Sequence, residues 1–335
     1  MALSTPLTER LGIEHPVMLG AMDLVADARL AGAVSEAGGF GFLGAGYGDE
    51  SWMRREIALL QAQHDRHRGR FGIGFITWSL AKQPQLLDLA LAARPKAIWL
   101  SFGDPAPFAA KIKAAGALLV CQIQNVAMAR DAVAKGADIV VAQGSEAGGH
   151  GVAQGTMTLV PAVVDAVGGQ AIVVAAGGIG DGRGLAAALM LGAAGVVMGT
   201  RFYASIEAAG FDAAKQRIVQ ASGDQTIRSV VFDISRKNVW PAPFTGRCLV
   251  NDHLQRWLGR ELDLMRHIDA EGARYAAARA AGEFDTAAVI AGEVSGLVHD
   301  VPPARDIVLR TIAEAETLLR GPYDRANRPE PAITR

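Results

Sequence analysis

The sequence predicts a TIM barrel, eight parallel β-strands with crossover helices, carrying a mainly helical C-terminal addition. Short β-branched or apolar runs alternate with alanine- and leucine-rich segments of helical period, the pattern of repeated βα units. Eight such runs occur before residue 200. Glycine-rich polar turns follow several of them, as on the rim where barrels of this kind place their sites.

In chain order the predicted strands are Val17 to Gly20, Phe40 to Gly44, Phe71 to Phe75 and Ala97 to Ser101, then Leu118 to Gln122, Asp138 to Gln143, Ala171 to Gly177 and Gly195 to Gly199. Between them, Asp27 to Ala37, Glu50 to Asp65, Pro105 to Ala115, Asn125 to Lys135 and Gly182 to Leu191 are long enough to be crossover helices. After Phe202 the character changes. Ala208 to Ser222, Asp252 to Gly282 and Ala304 to Leu319 read as helices, with an irregular stretch between the first two that contains Pro241 and Pro243. The expected division is a barrel over 1–207, a helical addition over its mouth at 208–300, and a C-terminal helix at 301–335 returning to the barrel wall.

Composition narrows the function classes. The 335 residues are half apolar and one-fifth charged, with a formal net charge of -1, which gives no electrostatic footprint for nucleic acid or an anionic membrane. The apolar run Leu185 to Gly199 is too short for a membrane span, and Gly192 and Gly195 suit a helix-to-strand turn. Thr8, Glu9 and Arg10 interrupt what a signal peptide would need, so a cytoplasmic location is expected. Cys121 and Cys248 have no C-x-x-C spacing and read as reduced thiols outside the chemistry. No metal site is expected. The alanine-rich helices leave a homo-oligomer open.

The most informative segment is Gly144-Ser145-Glu146-Ala147-Gly148-Gly149-His150-Gly151, directly after the sixth predicted strand. Glycines there let backbone approach a flat ring, and His150 brings one titratable group to the barrel mouth. Glu146 is read as a structural partner of that turn. Two further turns suit a phosphate: Ala176-Gly177-Gly178-Ile179 after the seventh strand and Met198-Gly199-Thr200-Arg201 after the eighth. The helix starting near Gly182 is expected to point its positive end at that phosphate, with Thr200 or Arg201 as side-chain donor. Trp78, Trp240 and Phe244 read equally well as an apolar pocket wall or as core. No G-x-G-x-x-G after a strand, P-loop, H-E-x-x-H or G-x-S-x-G motif is present.

These residues resemble the flavin-dependent nitronate monooxygenases (2-nitropropane dioxygenases) and the related FMN-dependent enoyl-ACP reductases. The resemblance runs through His15-Pro16-Val17-Met18 with Gly20-Ala21-Met22, Ala142-Gln143-Gly144-Ser145-Glu146-Ala147-Gly148-Gly149-His150, Ala176-Gly177-Gly178-Ile179 and Met198-Gly199-Thr200-Arg201-Phe202, and more loosely Ala291 to Leu297. It implies FMN at the strand ends. The phosphate would be held by the Gly177-Gly178 and Gly199-Thr200 loops and the ring would lie near Ala21, Met22, Gln143 and Gly148, with Gly20, Ala147, Gly149 and Met198 as further flavin contacts and His150 catalytic. Two departures stand out. Gly74 occupies the position of a family asparagine, with Gln122 as the candidate replacement contact, and Ile290 lies near a position where one branch carries a serine.

The activity so implied is oxidation of an alkyl nitronate by dioxygen to a carbonyl compound and nitrite. The alternative is an NAD(P)H-dependent FMN reductase acting on an enoyl thioester or quinone, for which Arg54, Arg55, Arg228 and Arg247 are too scattered to assign a nicotinamide phosphate site. A third reading is a phosphate-binding barrel without redox chemistry.

Overall fold

A computed structural model describes residues 3–63 and 69–321 of the chain. The end of the predicted helix Glu50 to Asp65 and the tail after residue 321 fall outside the described residues. The eight predicted strands form one parallel sheet: β1 (Val17–Leu19), β2 (Gly41–Gly46), β3 (Phe71–Ile76), β4 (Ala97–Ser101), β5 (Leu118–Ile123), β6 (Ile139–Gln143), β8 (Ile172–Ala176) and β9 (Val196–Met198), with β7 (Gly149–Gly151) outside it. The order β1-β9-β8-β6-β5-β4-β3-β2 closes on itself, because Met18 bridges Phe40 and the amides of Leu19 and Phe40 reach Phe40 and Val17 carbonyls at 2.9 Å. This is a TIM barrel.

Alternation along each strand divides the apolar side chains between two layers. Met18, Phe42, Trp99, Val120, Val141, Val174 and Val197 fill the barrel interior, with Leu7 and Leu11 of the N-terminal helix Pro6–Leu11 packed into the same cluster. Val17, Leu43, Ile73, Ile98, Leu119 and Val140 point outward to the helices. Trp99 meets Phe42 edge-on at 5.0 Å, so bulky rings rather than open space occupy the barrel axis. The crossover helices Ala28–Glu36, Glu50–Ala62, Ala106–Ala114, Val126–Ala134 and Gly182–Met190 lie where periodicity predicts them, four of them N-capped by Asp27, Asp49, Asn125 and Asp181.

The addition departs from the expectation. Its irregular stretch contains β10 (Thr226–Ser229) and β11 (Thr245–Leu249), which pair antiparallel, and β11 also pairs with β7, the strand that carries His150. Thr-Ile-Arg-Ser and Thr-Gly-Arg-Cys-Leu are too short and too polar to announce strands. Their pairing depends on the partner that tertiary structure supplies. The predicted helix Asp252 to Gly282 is three helices, Asp252–Trp257, Glu261–Arg266 and Ile268–Ala281, broken first at Gly259, whose φ is +76°. Ala208 to Ser222 contributes only Asp212–Gln220. The addition has its own small core of Val231, Phe232, Cys248, Leu254, Trp257, Leu264 and Tyr275.

The helix Ala304–Arg320 packs against the barrel helix Gly182–Met190, close enough that a Cβ on Gly182 would lie 2.5 Å from the Thr311 carbonyl oxygen. Burial pushes the thiols of Cys121 and Cys248 up to about 12, so neither is a thiolate near neutral pH. Among the described residues no helix is long and apolar enough to cross a membrane.

Candidate active site

A cavity with about 1330 Å³ of free space, its mouth included, opens at the C-terminal ends of the strands. Gly20, Ala21 and Met22 line it after β1, Gly74 on β3 and Gln122 on β5 line its floor, and Gln143, Ala147, Gly148, Gly149 and His150 come from β6, the turn after it and β7. Gly177 and Gly178 follow β8, and Gly199 and Thr200 follow β9. Of the sequence-derived flavin contacts and the catalytic candidate only Met198 is absent from the lining. Its side chain is fully buried in the layer between strands and helices, and its carbonyl accepts the Gly20 amide at 3.0 Å.

Two arginines of the addition hold the Gly144 to Gly151 segment. Arg228 on β10 donates to four carbonyls, those of Gly149, Thr245, Ser145 and Ala147, and Arg247 on β11 donates to Ser145 at 2.9 Å while pairing with Glu293 at 3.0 Å. Both guanidiniums donate to internal acceptors rather than to the cavity, which disfavours either as a nicotinamide phosphate ligand. Burial lowers Arg228 to about 10, with Arg247 adding to the effect, yet it stays charged near neutrality. Glu146 accepts from the amide and hydroxyl of Thr156, capping the helix Thr156–Val167 that begins after Gly155. Gly148 lies flat against the 291–292 backbone, where a Cβ would approach to 2.7 Å, and Gly292 donates to the Thr200 hydroxyl at 2.9 Å. Thus the loosely matching Ala291 to Leu297 segment is threaded between the His150 loop and the β9 turn.

His150 is nearly buried, at 8% exposure. Its Nε2 lies 2.8 Å from Asp233 Oδ2, and Asp233 Oδ1 accepts from Arg236 at 2.7 Å. A carboxylate only accepts, so Nε2 carries the proton and Nδ1 keeps a lone pair. Burial lowers the His150 pKa from 6.5, and the adjacent Asp233 only partly offsets this. The imidazole is therefore a neutral base at neutral pH. The expected consequence is a kcat/KM profile flat above pH 6.5 that falls as His150 protonates at lower pH; an acid limb centred above 6.5 would contradict it.

Burial also lowers His253 and His15. For these three histidines the unfolded chain binds protons at a higher pH than the folded one. Their contribution to stability is therefore full above pH 6.5 and is lost as pH falls through the folded values, which denaturant titrations at pH 7.5 and 5.5 will register.

The residues fit a flavin. Gly177 and Gly178 hold successive φ values of +105° and +70°, a backbone turn that side-chain-bearing residues rarely adopt, and Gly199 has open space where a Cβ would stand except for the Met22 sulfur at 3.6 Å. Gly178→Val is expected to lower flavin retention by at least about tenfold through strain in this turn; unchanged absorbance after gel filtration would place the phosphate elsewhere. The helix Gly182–Met190 does not face that phosphate position freely. Its N-terminal amides are taken by Asp181, and Glu314 accepts the Gly182 amide at 2.7 Å. Arg201 likewise turns away, pairing with Asp300 at 2.9 Å, which leaves Thr200 as the side-chain candidate. Gly74 is matched to Ala21: a Cβ on Gly74 would lie 2.3 Å from the Ala21 methyl, which occupies the room an asparagine would need. Gln122 is bonded to Gln143 at 2.8 Å, which Gln124 also reaches.

Several site residues carry no local signal. Asp233 and Arg236 sit on and just after a five-residue helix, Val231–Ser235, 83 positions from His150. Asp23 lines the cavity beside Gly46, whose missing Cβ makes room for its carboxyl, and burial raises its pKa with the Tyr47 amide partly offsetting this. Tyr47, Phe102 and Trp240 form aromatic lining, while Trp78 and Phe244 lie behind it, in edge contact with Trp240 and Phe102 respectively. Ile290 reaches the cavity too.

Comparison with known proteins agrees with this geometry. The family described as nitronate monooxygenase matches residues 4–73 and 75–314. The chain is 36% identical to nitronate monooxygenase npaC of Metarhizium robertsii, covering 95% of each. It is 32% identical, over 96% of this chain and 98% of the other, to (3aS,4S,5R,7aS)-5-hydroxy-7a-methyl-1-oxo-octahydro-1H-indene-4-carboxyl-CoA dehydrogenase of Mycobacterium tuberculosis. Among solved structures, FabK from Thermotoga maritima superimposes with a TM-score of 0.83 at 29% identity, covering 94% and 97% of the two chains. Nitroalkane oxidase from Streptomyces ansochromogenes gives 0.76 at 28%, covering 93% and 99%. A glycine-lined cavity on the C-terminal rim of a TIM barrel and a family match along nearly its whole length place this chain in the nitronate monooxygenase family of flavin-dependent oxidoreductases.

Proposed function

We propose that this protein is an FMN-dependent nitronate monooxygenase, converting alkyl nitronates, bound as such or formed in the cavity from neutral nitroalkanes, and dioxygen to a carbonyl compound and nitrite. The observation that carries the reading is a neutral histidine, anchored through Nε2 to Asp233, facing a cavity built of backbone glycines. Gly177, Gly178, Gly199 and Thr200 would hold the phosphate, and Ala21, Met22, Gln143 and Gly148 would lie against the ring. When bound, FMN supplies electron acceptance and the reaction with dioxygen.

The protein's part is binding, orientation and proton transfer. With its Nε2 proton committed to Asp233, His150 offers Nδ1 as an acceptor. It suits abstraction of the α-proton from a neutral nitroalkane better than donation to an anionic nitronate. The imidazolium so formed is stabilised by Asp233. Tyr47, Phe102 and Trp240 restrict water at the reacting carbon.

A second reading shares this base. Removal of a proton next to a thioester carbonyl is the same step, and the full-length relative from Mycobacterium tuberculosis is named as a CoA dehydrogenase. Of the four arginines considered for an NAD(P)H-dependent reductase, Arg228 and Arg247 are bonded internally, and Arg54 and Arg55 are exposed on the helix Glu50–Ala62. The test is an anaerobic visible spectrum with alkyl nitronate, nitroalkane, acyl-CoA or NADPH added to separate samples. Bleaching by nitronate or nitroalkane with the others inert is the expected result; bleaching by acyl-CoA or NADPH alone would overturn it.

A further inference from the structure

Trp240 stacks on the His150 imidazole with ring centroids 3.4 Å apart and planes 7° from parallel. The contact joins two parts of the molecule that the sequence separates by 90 positions. Trp240 is itself fixed: its Nε1 donates to the Tyr47 hydroxyl at 3.0 Å, and Phe102, Trp78 and Tyr47 meet it edge-on at 5.1, 5.4 and 6.2 Å. Tyr47 follows β2 on the barrel, whereas Trp240 belongs to the addition, in a segment whose neighbours Val239 and Pro241 are exposed. The Trp240–Tyr47 bond therefore ties that exposed segment to the barrel rim directly beside the candidate base.

We propose that Trp240, latched by Tyr47, is a positioning residue for His150. Asp233 holds the imidazole at Nε2, which leaves the ring free to swing about that bond; the stacked indole fixes its plane and keeps water from its face. Together they aim the Nδ1 edge at substrate. The groups that set the titration of His150 are Asp233, Arg236 and Arg228, the last two acting against protonation. Trp240 adds no charge to this set. Its effect on the titration is through desolvation, the largest cause of the lowered value. The catalytic meaning of the latch rests on the proposed reaction, but its physical content does not.

The experiment compares wild type, Trp240→Leu, Trp240→Phe and Tyr47→Phe as flavin-loaded proteins. The His150 ring is followed by NMR titration of ¹³C-labelled imidazole, assigned with His150→Gln, and turnover of a neutral nitroalkane, whose α-proton must be removed, is measured in parallel. Trp240→Leu should move the His150 resonances out of the indole ring current, raise its pKa toward 6.5, and lower kcat by roughly tenfold or more with a smaller change in KM. Trp240→Phe keeps a stacking ring and should restore the wild-type titration and most of kcat. Tyr47→Phe should fall between the two. An unchanged titration and kcat in Trp240→Leu would overturn the proposal, as would loss of both in Trp240→Phe with fold and flavin content intact. If Trp240→Leu fails to fold, Tyr47→Phe decides: wild-type ring-current shifts and kcat in that variant would refute the latch. Wild-type protein that turns over neither nitroalkane nor nitronate would remove the proposed reaction while leaving the titration outcome to judge the latch.

Discussion

Replacing His150 by alanine is expected to leave flavin bound and to lower kcat/KM for a nitroalkane by about 10²–10⁴-fold, the usual contribution of a positioned general base. Flavin retention follows from the division of the cavity: the glycine turns after β8 and β9 are separate from β7, and the imidazole bonds Asp233 rather than any phosphate-facing group. For a preformed nitronate the loss should be much smaller, because no α-proton has to be removed. Steady-state kinetics with both substrates, at pH 7.5 and saturating oxygen, check this. Equal losses on the two would show that His150 stabilises the anion instead. Asp233→Asn refines the same result. The amide can donate to Nε2 and so favours the other tautomer, placing the proton on Nδ1 where the base is needed. This variant should approach the alanine variant in nitroalkane turnover without the same loss of packing.

The second large effect is structural. Arg228→Ala should destabilise the folded protein by about 2–4 kcal/mol and release flavin, because it strips donors from four carbonyls around the His150 strand. Arg228→Lys keeps the charge but lacks the planar fork, so it should recover only part of the loss. Chemical denaturation with flavin absorbance read in parallel will register both. A stability change under about 0.5 kcal/mol, the level of an ordinary surface substitution, would mean the clamp does not hold the loop. Arg247→Ala is a milder companion, since one of its main partners is the half-exposed Glu293.

The contrast between these residues and the glycine turns explains how much was legible beforehand. All eight barrel strands were readable because each buries its own short apolar run, and the helices between them carry the helical period, most of the predicted ones with a side-chain cap. The turns after β6 and β8 were readable because their backbone requirements select glycine locally. The expected free helix end at Gly182 failed for a nonlocal reason: Glu314, 132 residues later, fills it. Arg201 looked like an anion ligand by its position in the chain, and only the location of Asp300 turned it aside.

The sequence alone determined the barrel, the rim on which its site lies, the glycine turns and His150 as the titratable group among them, because each of these is dictated by burial or backbone conformation within a dozen residues. Tertiary structure decided the rest: the pairing of β7 with β11, the Arg228 clamp, Asp233 behind His150, and Trp240 held over it by Tyr47. Apart from the Arg228–Thr245 bond, which spans 17 positions, those contacts join positions 79 to 193 apart. A hydrogen bond or ring stack of that span leaves no period or motif in the chain. Its partners are specified only when packing brings two surfaces together and each buried polar group must find a mate.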